Sequence, residues 1–154
     1  MSIDIQLVGP GNGAVLDRVA DGVFDHALNP RWTAAFQSDA RHHMFVALDR
    51  GVVVGMISAV DYVHPDKAPQ LWINEVGVAP SHRQRGIGRR LLDAMLAHGR
   101  TLGCTEAWLG TEDDNEAANA LYRSAGSKPE PFVLYSWELQ PKEPGEDDAT
   151  QADA

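Results

Sequence analysis

The 154-residue chain has a single cysteine, Cys104, so no disulfide can close within it, and no group of Cys and His residues has the spacing of a zinc site. Nowhere do about 18 apolar residues follow one another, the length a membrane-spanning helix needs. The start, Met1-Ser2-Ile3-Asp4-Ile5, lacks the basic-then-apolar layout of a secretory signal. Together these absences predict a reducing, cytoplasmic setting with no membrane partner. Basic residues are also scarce: 13 Lys and Arg stand against 22 Asp and Glu, a net charge of −9. Nucleic-acid binding calls for an extended basic face, which this chain does not offer.

What basic charge there is sits in one place. Arg83, Arg85, Arg89 and Arg90 fall within eight residues, the mark of a local anion site on an acidic body. The apolar fraction of 44% and charged fraction of 23% are those of an ordinary folded domain, expected over residues 1–139. Residues 140–154 carry one lysine against five acids, have no periodicity, and are expected to form a disordered acidic tail.

Alternation at Ile3, Ile5 and Leu7 predicts a strand. Val15, Leu16, Val19, Val23 and Phe24 recur at helical spacing and predict a helix over about 13–26. Asn29-Pro30 opens a second, short helix carrying Trp32 and Phe36. Two β-rich runs, 44–49 and 52–60, flank Asp49-Arg50-Gly51, a hairpin signal. Residues 62–70, with Pro65, Asp66 and Pro69, read as a loop. A strand over 71–78, a helix from Gly88 to about Leu102 closed by Gly103, a strand over 105–110, a helix over 116–125 and a last strand over 132–139 follow. His42 and His43 are adjacent, cannot point the same way on a strand, and are read as surface or hairpin residues. The order predicts an α/β (α+β mixed) domain with helices on both faces of a mixed sheet.

The stretch richest in chemistry runs from Val76 to Leu91. A strand ends at Val78, and Ser81-His82-Arg83-Gln84-Arg85-Gly86-Ile87-Gly88 leads into an amphipathic helix. Two glycines let backbone approach a ligand at the end of a helix where free N–H groups and the dipole favour an anion. A phosphate or pyrophosphate cradle follows from that, with a tight turn bearing a solvated arginine face as its plain alternative. The P-loop lysine is missing, and so is the third glycine of the dinucleotide fingerprint.

Arg83-x-x-Gly86-x-Gly88 resembles the pyrophosphate-binding signature of the GNAT N-acetyltransferase family. A second segment, Asn115-x-x-Ala118-x-x-Leu121-Tyr122-x-x-x-Gly126, begins 27 residues after Gly88 and resembles that family's other cofactor motif, with Ser127 standing where an aromatic is usual. The likeness implies the GNAT fold, a mostly antiparallel twisted sheet of about six to seven strands. It implies acetyl-CoA as donor, with the main chain of Val76 and Val78 along the pantetheine arm and the Val76 amide polarising the carbonyl. It also implies that the amides of Arg83, Gln84, Arg85, Gly86, Ile87, Gly88 and Arg89 hold the pyrophosphate, that Asn115 and Ala118 lie beside the cofactor, and that Tyr122 protonates the departing thiolate. A phenol of pKa about 10 suits a thiolate of about 8.5. Packing alone is the alternative for Tyr122.

An amine acceptor must lose a proton before it attacks, and Glu75, in an apolar strand beside Val76, is the expected general base, because desolvation raises a carboxyl pKa. The alternative puts Asn74 and Glu75 on a solvent-facing edge. Asp61 is a further candidate near the end of the preceding strand. Glu112, Asp113 and Asp114 follow a strand and would attract a polycation, although Asp114 also suits a helix cap. Within the family, the segments 61–63, 73–78, 120–122 and 132–137 resemble short aminoglycoside 3-N-acetyltransferases. This implies a small cationic acceptor, an aminoglycoside antibiotic, with Asp61, Glu75, Glu112, Asp113 and Asp114 toward it. Polyamines and lysine-rich peptides fit the acids equally, and a non-catalytic acyl-CoA sensor is the rival of another class. No metal is called for. Homodimers are common in the family, and in this chain the final strand or the early helices could supply the contact, with nothing in the sequence to select one.

Overall fold

The computed structural model describes residues 2–142 and forms one five-stranded sheet in the order β1-β2-β3-β4-β5. Strands β1 (Asp4–Leu7), β2 (His42–Asp49), β3 (Val52–His64) and β4 (Lys67–Val78) are antiparallel neighbours, and β5 (Glu106–Trp108) joins β4 in parallel. The helices are α1 (Pro30–Ser38), α2 (Ile87–Thr101) and α3 (Glu116–Ser124). This is the expected mixed α/β architecture, with fewer strands than the six to seven expected. Among the described residues no helix is long and apolar enough to cross a membrane.

Local chemistry explains most boundaries. The Asn29 side chain accepts the N–H groups of Arg31 and Trp32 at 3.0 and 3.3 Å, and Pro30 takes the first helical position, so α1 starts there. Arg50 and Gly51 both adopt positive φ, which makes the tight β2–β3 turn match the strand twist. In α2, Ile87, Leu91, Leu92, Met95 and Gly99 form the buried stripe, and Gly103 at φ +83° ends the helix region as expected. Full burial of side chains such as Leu91 and Met95 contributes about 1.5–3 kcal/mol each.

The two faces of the sheet follow from close approaches. A Cβ on Gly55 would stand 3.1 and 3.2 Å from Ile87 and Leu91, so that face belongs to α2. A Cβ on Gly77 would stand 2.2 Å from the Val23 carbonyl, so residues around 23 cross the opposite face with no room for a side chain. Paired residues share a face: Val78 and Val76 go with Gly55 and Ile57 toward α2, whereas Glu75 goes with Ser58, Met56 and Gly77 away from it. His43 and Phe45 meet His98 of α2, so His42 points to the other face, where Phe36 of α1 lies against it at 5.2 Å. Helices therefore flank both faces.

Three expectations are corrected. No helix runs over 13–26: only a 3-10 turn, Gly13–Asp17, forms there. The amide of Ala20 donates to Val53 and the carbonyl of Arg18 accepts from it, and Gly22 takes φ +78°, so backbone groups a helix would use are held by β3 instead. Residues 62–70 are no loop but the outer half of a β3–β4 hairpin with His64 opposite Lys67. Tyr62 donates to Gln70 at 2.9 Å and accepts from the Trp108 indole N–H at 2.7 Å. No strand forms over 132–139, where no partner strand lies alongside. The expected acidic tail lies, after residue 142, outside the described residues.

Candidate active site

The site begins with the free edge of β4. The Ala79 amide donates to the Val54 carbonyl at 2.8 Å. Groups in an antiparallel ladder alternate in direction, so Gly77 and Glu75 also turn theirs to β3, and Val78 and Val76 turn theirs outward. On that outer side β5 accompanies β4 only from Gln70 to Trp72. Beyond this the strands part, and the gap holds a cavity of about 430 Å³. Residues 73–76 line one wall, residues 109–112 the other, and Asn115, Ala118 and Tyr122 of α3 close it with Asp25.

The turn between β4 and α2 is pinned from outside. His82 Nε2 lies 2.9 Å from Asp49 Oδ2 and its Nδ1 2.8 Å from Ser81 Oγ, which ties the turn to the β2–β3 hairpin. The His82 contact holds the Asp49 carboxyl below its ordinary pKa. Gln84 at φ +59° and Gly86 at φ +74° turn the chain sharply between the extended Arg83 and α2, and successive amides in such a turn can form an anion-binding concavity. Gly86 precedes α2 without a side-chain cap, and a Cβ there would meet nothing within 4 Å. The helix's first backbone bond runs from Arg90 to Gly86 at 3.1 Å, leaving the amides of Ile87, Gly88 and Arg89 to point out of its end. The Ile87 side chain is core, so only its main chain faces the turn. A Cβ on Gly88 would stand 3.3 Å from Leu121, so this glycine brings α2 and α3 together.

The arginine side chains play other parts than their number suggests. Arg89 binds Asp93 at 2.9 Å and the Ser124 carbonyl at 2.7 Å, joining α2 to α3. Arg90 donates to the Ile3 carbonyl at 2.9 Å. Arg83 Nε donates at 3.1 Å to the outward carbonyl of Val78. Arg85 lies close enough to Asp49 to help lower its pKa.

Glu75 is half-buried while its neighbour Asn74 is exposed, so the two do not form a common solvated edge. Burial first, then the charge of Asp25 and a hydrogen bond with it, push the Glu75 carboxyl above its ordinary pKa, with His26 opposing. Burial also raises the Tyr122 phenol. Asn115 caps α3, its Oδ1 accepting the Ala118 amide at 3.1 Å, which leaves its NH2 as the group it can offer a ligand. That cap displaces the reading of Asp114 as the capping residue.

Several expected residues fall elsewhere. Asp61 is not at the cavity: it faces α2, bonded to His43 Nε2 at 2.5 Å, whose Nδ1 meets His98 Nε2 at 3.0 Å. Strand alternation past the irregularity at Ser58/Ala59 carries it to that face. His43 is accordingly 7% exposed, not a surface residue. Glu112 lines the cavity, but Asp113 and Asp114 do not and lie exposed in the loop before α3. Asp25 is the residue sequence reasoning missed. It was placed within a helix, and its meeting with Glu75 depends on the crossing at Gly77, for which the glycine was the one local signal.

Comparison with known proteins gives the site a context. The acetyltransferase (GNAT) family model matches residues 16–126. Aminoglycoside N(6')-acetyltransferase type 1 of Salmonella typhimurium is 30% identical over 95 residues, a match covering 59% of this chain and 66% of that protein, just under two thirds of its length. Two solved structures are similar in fold. One is an aminoglycoside acetyltransferase from an uncultured soil metagenomic sample, in complex with trehalose (TM-score 0.76, 17% identity, covering 90% of this chain and 97% of that one). The other is AAC(6')-Iy in complex with the bisubstrate analogue CoA-S-monomethyl-acetylneamine (TM-score 0.74, 21% identity, 90% and 99%).

Proposed function

Because the chain belongs to the acetyltransferase (GNAT) family, whose members use acetyl-CoA, we propose that it acetylates an amino group of an aminoglycoside-type polyamine sugar by direct transfer within a ternary complex. The observation that carries this is the cavity in the β4–β5 gap, which brings Glu75 and Tyr122 together beside the outward backbone of Val76.

The residues present fit the donor. Val76 turns its main-chain N–H and C=O outward and Val78 its N–H, the Val78 carbonyl being held by Arg83, and the open turn at Gln84 and Gly86, ahead of the free amides of α2, suits paired phosphates. When bound, acetyl-CoA supplies an activated carbonyl and a thiolate leaving group. The Val76 N–H, turned away from β3, is placed to donate to charge developing on an oxygen. Glu75 accepts the proton of the acceptor's ammonium at its carboxylate, and its raised pKa makes it a better base near neutrality. The Tyr122 hydroxyl, kept protonated by burial, provides the proton that completes the exchange. Asp25, Glu75 and Glu112 give the cavity three carboxylates, which favours a polycation over a neutral amine.

The position modified is open to direct measurement. The sequence resemblance points to the 3-amino group, whereas the curated relative is named for the 6′ position. The 6′-amino group is thus the first to test and the 3-amino group the second. A thiol-release assay with acetyl-CoA against aminoglycosides, polyamines and basic peptides, followed by NMR of the product, decides it. Turnover confined to aminoglycosides supports the reading. Turnover only on polyamines or peptides, or acetyl-CoA binding without any turnover, overturns it in favour of another acceptor or a sensor.

A further inference from the structure

The sheet face turned away from α2 carries more than Glu75. At the irregularity in β3–β4 pairing, Glu75 stands opposite Ser58 and Ile73 opposite Ala59, so Asn74 is an extra residue in β4. Side chains three apart in a regular strand fall on opposite faces, but this insertion brings Trp72 onto the face of Glu75. Leu71 marks the other face, since a Cβ on Gly99 of α2 would stand 3.0 Å from it. Trp72 lies about 10 Å along the strand from Glu75. Its partner in β5 is Trp108, and the two rings meet at 4.0 Å with their planes 60° apart.

A belt of hydrogen bonds holds this indole pair in place. Trp108 Nε1 donates to Tyr62 Oη at 2.7 Å, Tyr62 Oη donates to Gln70 Oε1 at 2.9 Å, and Gln70 Nε2 donates to Glu106 Oε2 at 2.9 Å. The belt uses the one donor Trp108 has, so this residue, 46% exposed, offers a ligand its ring face. The Glu106 carboxylate keeps acceptor capacity at the rim, and Glu112 lines the adjoining cavity. Gly110 joins the two areas. It lines the cavity, and a Cβ on it would stand 3.3 Å from the Phe132 ring and 3.9 Å from Trp72, so the missing side chain leaves the passage open.

We infer that Trp72 and Trp108 form a second acceptor subsite, which takes an amino-sugar ring remote from the reacting amine. The inference rests on the aminoglycoside reading above and deepens it, by adding a ring to what the site engages. An amino sugar presents a face of C–H groups and carries ammonium groups at its edge. Aromatic faces suit the first, and cation–π attraction together with the Glu106 carboxylate suits the second. An apolar protein segment laid here would press that carboxylate against apolar surface, which costs free energy. The occupant is therefore cationic and continuous with the molecule in the cavity.

The test compares neamine, which has two rings, with kanamycin B, which is neamine carrying one more amino-sugar ring. In the unaltered chain kcat/KM is expected to be higher for kanamycin B. Trp108→Leu keeps apolar bulk in β5 and removes the aromatic face. It is expected to raise KM for kanamycin B by about 3–30-fold, the worth of one cation–aromatic contact, with kcat retained and the preference over neamine lost. Trp108→Phe restores a ring and with it most of the preference. Should Trp108→Leu fail to fold, Glu106→Gln at the exposed rim carries the test, with the preference expected to fall by about 2–5-fold. Failure of the aminoglycoside reading shows in the unaltered chain, as no turnover of either compound, and takes this inference with it. Failure of the inference alone shows as equal turnover of both compounds by the unaltered chain, or as variants that keep its preference or lose equally on both. A Trp108 covered by another segment or chain lowers the denaturant midpoint of Trp108→Leu and leaves KM unmoved, which overturns it too.

Discussion

Glu75 and Asp61 sit on neighbouring strands, and both are acids the sequence offers as a base, yet the sheet separates them onto opposite faces. Asp61 faces α2 and binds His43, which in turn meets His98, a chain of polar groups closed against the helix. Burial and the neighbouring His43 hold His98 below its ordinary pKa. Glu75 faces a cavity, its nearest carboxylate partner is another acid, and its pKa is raised. A carboxylate with a hydrogen-bonding imidazole is satisfied and structural, whereas one pressed against a second carboxylate in a gap takes up a proton more readily than an ordinary carboxylate and is the stronger base. The lesson is that environment, not residue type or position along a strand, divides the roles.

The largest effect that tests this contrast comes from Glu75→Gln, which keeps shape and removes the base. We expect kcat/KM to fall by about 10²–10⁴-fold, with acetyl-CoA affinity unchanged by calorimetry. A variant at parental rate would mean that another group or water alone takes the proton. Tyr122→Phe comes next, because a buried phenol is the cavity's one hydroxyl-bearing acid of suitable pKa. A loss of about 10–10²-fold in kcat, within the range of general-acid effects, is expected with KM for the acceptor little altered. Unchanged kcat would reduce Tyr122 to a packing residue.

How far this arrangement could be read beforehand depends on how local each cause is. The turn at Gly86 and Gly88 and the helix from Glu116 were legible because their signals act within a few residues, although that helix is capped by Asn115 and not by the expected Asp114. The hairpin tip at 62–70 was not, because its prolines and acids spell a loop locally while Tyr62, Gln70 and Trp108 bind across three strands. The same holds for residues 13–26. Their apolar spacing fits a helix, but Val19 bridges Val53 and Val23 crosses Gly77, contacts that only the assembled sheet can offer. Asp25 was lost with that error. Residues 132–139 show the converse: the β pattern is present, and among the described residues no strand pairs with it.

Asp61→Asn tests the other side of the comparison and moves stability rather than rate. Weakening its bond to His43 should lower stability by about 1–3 kcal/mol, read as a lower denaturant midpoint at constant slope. The kcat/KM of the folded variant should match the parent, and a large loss of activity would return Asp61 to the site.

The smallest effect is the most discriminating. In Asp25→Asn the charge beside Glu75 disappears while a hydrogen-bonding amide remains. Glu75 works deprotonated, so kcat/KM falls as pH drops through its pKa, and a lower pKa carries activity to more acid conditions. Burial, the larger cause of the raised value, stays in place. The acid limb of the kcat/KM profile should therefore move to lower pH without reaching that of an ordinary exposed carboxylate, with kcat at neutral pH slightly reduced because the base is weaker. The same profile in Asp61→Asn should not move, since Asp61 faces the other side of the sheet. A limb that stays put in Asp25→Asn, or moves up, would show that the two carboxylates do not meet during turnover, and the division between the faces would then rest on Glu75 alone.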